Sequence, residues 1–163
     1  MTRIREETMT RQAHLQLFLH GSVFLLISMI VGFPAFSLFS AHMQSVVHAF
    51  WRLYHIILIS TGVWTIAVGA ALPHLGFSEQ AEKRLACLMI VSGYLLVFNI
   101  PIYGTAVLLN HLDTLQNVPT GSLRLPYYLL LGGNGLTAFF AASAVAIRAF
   151  AVIHHANQPP RGF

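Results

Sequence analysis

His55 is the one histidine set well inside a long apolar run, between Phe50-Trp51-Arg52-Leu53-Tyr54 and the stretch through Gly62 to Leu72-Pro73-His74-Leu75-Gly76-Phe77. A polar ring at that depth is expensive to keep among lipid tails and marks a functional group. His48, His55, Gly62 and Gly69 recur at seven-residue intervals, so one helix face carries two imidazoles and then two positions without side chains. Such a face offers nitrogen ligands at one end and close backbone approach further along. Arg52 stands one turn before His55, placed either to snorkel to lipid phosphates or to pair with a carboxylate held beside the imidazole. Ser92, Asn99 and Tyr103 share a second helical face, suited either to orienting an oxygen-containing ligand or to joining two helices.

The absences narrow the chemistry. None of the five Asp and Glu residues lies within an apolar run, which counts against a proton-coupled exporter. No Ser or Cys sits in a strand-turn-helix context with a paired base, so a hydrolase nucleophile has no support. The single Cys87 cannot form an intrachain disulfide and reads as a packing residue. His111 and Asp113 are two ligands in a loop, too few for a metal site. An imidazole on a face with glycines, aromatics and an arginine suits haem: His55 as axial ligand, a Gly62-lined wall for the flat macrocycle, Arg52 for a propionate. With no Cys-x-x-Cys-His, attachment would be non-covalent. A lone helical histidine is nonetheless more often satisfied by hydrogen bonds than by iron, so both readings stand at this point.

The elements that must position these groups follow from composition. Of the 163 residues 56% are hydrophobic and 9% charged, and mean hydropathy is +0.68, far from a soluble domain. A span needs about 20 apolar residues. Four such runs fit, at roughly 15–39, 46–75, 85–109 and 125–153, predicting an all-α, integral membrane four-helix bundle over 13–156 with short tails at 1–12 and 157–163. The first run is too long for a signal peptide and lacks its small-residue cleavage site, so it is expected to be retained. Arg3, Arg5, Arg11, Lys83, Arg84, Arg148 and Arg161 place both termini and the second loop in the cytoplasm by the positive-inside rule. The sequence pI near 9.7 therefore reflects topology, and no basic cluster interleaved with aromatics suggests nucleic acid.

Along the chain, His14, Gly21 and Ser28 are also seven apart and predict a stripe that another helix can approach closely. His14, His20, His154 and His155 read as interfacial residues. Gly32 and Pro34 bend or end the first span, and Pro101 leaves a partly irregular wall in the third. Ser78 is placed to cap the third helix. Gly132-Gly133-Asn134-Gly135 weakens the fourth, which is tolerable where another helix or a flat ligand packs on the backbone.

From His55 through Gly62, then Ile66-Ala67-Val68, Leu72-Pro73, Leu75-Gly76-Phe77 and Arg84-Leu85, the chain resembles the styrene oxide isomerases, small four-helix enzymes of bacterial membranes. The resemblance is clearest from about Trp51 to Tyr94. It implies a bacterial inner-membrane homotrimer with haem b between protomers, ferric iron held by His55 and acting as a Lewis acid on an epoxide. The implied reaction opens an aryl epoxide such as styrene oxide to the aldehyde, with Asn99 and Tyr103 positioning the epoxide oxygen. The chain departs from the family pattern in two places. Thr61 stands where the family has Asn, and Ser92-Gly93-Tyr94 where it has Asp-Gly-Trp. The family's Asn and Tyr correspond to Asn99 and Tyr103 when the preceding turn is allowed extra residues, and to Leu96 and Ile100 on the Gly93 alignment. Other readings are a hydroxylaminobenzene mutase type, a b-type cytochrome using His48 or His42 as second ligand, and a cofactor-free structural subunit.

Overall fold

The computed structural model describes residues 2–36, 45–109, 112–113 and 118–156, with side chains over 12–32, 52–106, 109 and 118–154. Its helices are α1 (Thr2–Phe36), α2 (Ser45–Ala71), α3 (Glu79–Leu108) and α4 (Arg124–Ala156). Each holds a stretch long and apolar enough to cross a membrane, at Gln12–Gly32, Arg52–His74, Glu79–Ala106 and Gly121–His154. Helices are the natural outcome for such runs, because every backbone N–H and C=O must find a partner within the segment where water is absent. The four expected spans are thus found, and the residues read as an N-terminal tail, for which a helix against the headgroups is one reading, have the helical backbone of α1 from Thr2 onward. Two differences are local. α3 runs unbroken through Pro101, and the segment read as a plain loop carries a two-residue antiparallel ladder, Leu112 with Pro119 and Asp113 with Val118.

The two heptad stripes meet each other. α1 and α2 pack antiparallel, with Gly21 against Gly62 and Ile66, Ser28 against His55, and Gly69 against Leu17 and the His14 carbonyl. Each step of seven along one helix is matched by a step of seven back along the other, so the small residues form one continuous seam. Adding a Cβ at Gly62 would bring it to 2.9 Å from the Gly21 carbonyl oxygen and 2.8 Å from Leu25 Cγ. Backbone cannot yield as a flexible side chain can, so Gly62→Ala is expected to destabilise the bundle by about 1–3 kcal/mol. A lowered thermal midpoint of the detergent-solubilised protein, followed by circular dichroism, checks it.

The turn between α2 and α3 is closed by its own residues and by α4. A 3-10 turn at Leu72–His74 begins with Pro73 in its first positions, and Gly76 takes φ +60°, a conformation that ends helices cheaply only at glycine. The Ala81 amide reaches the Ser78 hydroxyl at 3.4 Å, the expected N-cap of α3. From α4, Arg148 donates its Nε–H to the Leu75 carbonyl at 3.1 Å and a second N–H to the Gly76 carbonyl, with its guanidinium 5.7 Å from the Phe77 ring centroid. A charge read from sequence only for orientation thus also satisfies helix-end carbonyls and ties α4 to the turn.

Buried side chains form two groups. Leu17, Val68, Leu72, Leu85, Met89 and Ala141 fill one end, and Val31, Tyr54, Leu58 and Leu96 the other. α4 packs mainly on α3 and leaves Leu129, Leu136, Phe139, Phe140, Ile147 and Phe150 exposed. Another helix meets one of its glycines. A Cβ at Gly133 would stand 3.1 Å from Leu95 Cδ1, whereas at Gly132 and Gly135 it would meet no described atom within 4 Å.

Candidate functional site

His55 is half-buried at the α1–α2 seam and held through its ring. Nδ1 lies 2.8 Å from the Ser28 carbonyl oxygen and 3.1 Å from Ser28 Oγ. The Ser28 hydroxyl in turn donates to the His55 carbonyl at 3.0 Å. A carbonyl oxygen only accepts, so Nδ1 carries the proton and Nε2 the lone pair, the arrangement that second-shell hydrogen bonds impose on metal-binding histidines. Gly32, one turn beyond Ser28, lies directly against the ring, and a Cβ there would overlap the imidazole. The sequence stripe of His14, Gly21 and Ser28 pointed to this contact. Gly32 was read only as a bend.

Asn99 and Tyr103 lie side by side on the inner face of α3, at 0% and 1% exposure. Neither Oδ1 nor Nδ2 of Asn99 has a hydrogen-bond partner among the described residues. An unsatisfied buried amide costs roughly 1–3 kcal/mol, so something polar belongs beside it. Tyr54, also buried, sets its ring 6.4 Å from that of Tyr103. Tyr127 of α4 is buried as well. Tyr54 and Tyr127 had no place in the sequence reading, although Tyr54 immediately precedes His55 and one step of about 100° turns it from α1 toward α3.

The remaining candidates separate. Ser92 shares the Asn99 face but is committed to α4: Asn134 Nδ2 donates to the Ser92 carbonyl at 2.6 Å and to its hydroxyl at 3.1 Å. The Ser92 hydroxyl returns a bond to the Asn134 carbonyl at 3.2 Å. Both border a small cavity of about 70 Å³ shared with Thr61, Trp64 and Thr65. Tyr94 hydrogen-bonds His20 at 2.9 Å and packs edge-on against Phe24. Gly62 faces Gly21 and Leu25, where it provides helix approach, and Arg52 is exposed. Cys87 lines a groove of about 430 Å³ with Gln12, Gln16 and Lys83. That groove is roughly 20 Å along α1 from the Ser28–His55 contact, at 1.5 Å per residue. His42, His111 and the His48 side chain lie outside the described residues. Among the described residues no three of His, Cys, Asp and Glu come together to bind a bare metal ion.

These features define a small polytopic membrane protein built around one oriented imidazole and a buried amide-phenol face. The sequence profile of the family described as styrene oxide isomerase matches residues 13–152, and the chain belongs to that family. Membership supports an isomerase of epoxide-isomerase type. No curated protein and no solved structure matches the chain.

Proposed function

We propose that this protein is a haem-dependent isomerase that converts an aryl epoxide, with styrene oxide as the first candidate, to the corresponding aldehyde. The observation that carries the reading beyond family membership is Asn99: a fully buried amide, one turn from the buried Tyr103, with neither polar atom hydrogen-bonded among the described residues. Such a site favours a small apolar molecule bearing one oxygen over a charged or heavily hydroxylated substrate.

The residues present fit haem b. His55, with its Nδ1 proton on the Ser28 carbonyl, would hold the haem iron through Nε2. Arg52, exposed one turn away, would meet a propionate. When bound, ferric haem supplies Lewis acidity toward the epoxide oxygen. Asn99 Nδ2 and the Tyr103 hydroxyl orient that oxygen and donate hydrogen bonds as negative charge grows on it while the benzylic C–O bond breaks. A hydride then shifts from the neighbouring carbon and the carbonyl forms, with no water consumed and no net oxidation. Leu58, Leu96 and Val31 keep water from the electron-poor carbon during that interval. The resemblance further suggests a homotrimer in the bacterial inner membrane, bathed in lipid, from which an apolar epoxide can enter laterally.

The test is a visible spectrum of detergent-purified protein before and after dithionite, followed by product analysis with styrene oxide. We expect a Soret band near equimolar with protein and aldehyde formation without oxygen or reductant. Colourless protein from haem-replete cells would refute the proposal, and a six-coordinate spectrum indifferent to epoxide would favour the electron-carrier reading.

A further inference from the structure

We propose that α1 is the positioning element for the axial ligand: the Ser28 carbonyl fixes the His55 tautomer, and Gly32 provides the flat bay in which the ring lies. The inference rests on the haem reading and goes beyond it by assigning residues and an electronic consequence. Within α1 the Ser28 carbonyl is one helical step of four before the Gly32 amide, so its oxygen serves the helix with one lone pair and the imidazole with the other. A backbone acceptor has no rotamers, so the ring is oriented by the helix itself. Ser28 Oγ, buried with its proton on the His55 carbonyl, ties the two backbones together at the same level and presents a second, longer acceptor to Nδ1.

The acceptor is neutral. A carboxylate on Nδ1–H would push electron density through the ring toward the metal, whereas a carbonyl does so weakly. The Ser28 carbonyl of α1 supplies that neutral partner. A weakly donating ligand keeps ferric iron electrophilic, which suits ring opening better than electron storage. Gly32 is required for a different reason: a Cβ there coincides with the imidazole ring, so no other residue leaves the bay open.

Ligand replacement separates this role from simple helix packing. His55→Gly protein is reconstituted with haem in the presence of imidazole, 4-methylimidazole or 1-methylimidazole, the last of which ligates iron but has no N–H to give Ser28. Imidazole and 4-methylimidazole should restore the Soret band, and 1-methylimidazole should do so at least about 10-fold less effectively, the usual loss for removing a second-shell partner. Equal restoration by all three would overturn the assignment while leaving His55 as ligand. In parallel, Gly32→Ala is compared with Gly21→Ala, which disturbs the same seam away from the ring. Haem transfer to apomyoglobin should be accelerated about 10-fold or more only in Gly32→Ala. Equal haem loss in both variants would reduce Gly32 to packing. Wild-type protein that holds no haem would remove the haem reading itself.

Discussion

His55→Ala is expected to abolish haem retention and, with it, turnover of styrene oxide. The bond from Nε2 is the only protein-to-iron bond the proposal contains, and loss of metal polarisation removes several kcal/mol of transition-state stabilisation, a fall of about a thousandfold or more. Haem per protein should drop below about a tenth of the wild-type value if loss of the ligand costs at least 1.4 kcal/mol. The fold should survive, because the seam beyond His55 continues through Gly21–Gly62 and Leu17–Gly69. Cys87→Ala, in the groove beside Lys83, should keep both haem and activity and serves as the matched control. Full haem occupancy in His55→Ala would move the axial assignment elsewhere and leave the Ser28 contact as helix packing.

The fold was legible to an unusual degree because a membrane restricts the choice of structure. Four apolar runs could only become helices, and the heptad spacings at His14, Gly21, Ser28 and at His55, Gly62, Gly69 located the α1–α2 seam. What periodicity could not show was which stripe each stripe would face. The sequence offered the glycines after His55 as a possible wall for a cofactor, and Gly62 instead meets α1. Ser92, Asn99 and Tyr103 shared a face as expected, yet the structure divides them, since only a partner on another helix decides whether a polar group is satisfied. Asn134 satisfies Ser92, while neither amide atom of Asn99 is hydrogen-bonded among the described residues. Tyr54 escaped attention because an aromatic in an apolar helix carries no periodic signal. Its importance comes from α3 standing opposite.

Asn99→Leu is expected to raise stability and destroy activity together. If the amide is held ready for substrate, replacing it by an apolar side chain of the same branching removes a desolvation penalty and should stabilise the protein by about 1–2 kcal/mol. The same change removes an oriented donor from the oxygen on which charge develops, for which about 100- to 1,000-fold in turnover is the usual cost. Tyr103→Phe should share the kinetic loss, within about ten- to a thousandfold, and retain haem. The paired signs carry the argument. An asparagine that merely joined helices would lose stability on conversion to leucine, and its effect on turnover would track unfolding. A higher thermal midpoint, an unchanged Soret band and slow aldehyde formation in one Asn99→Leu preparation would mark the residue as part of the site, because natural proteins tolerate such unsatisfied groups chiefly where function requires them. A lower midpoint with near-normal turnover would instead return Asn99 to the helix interface.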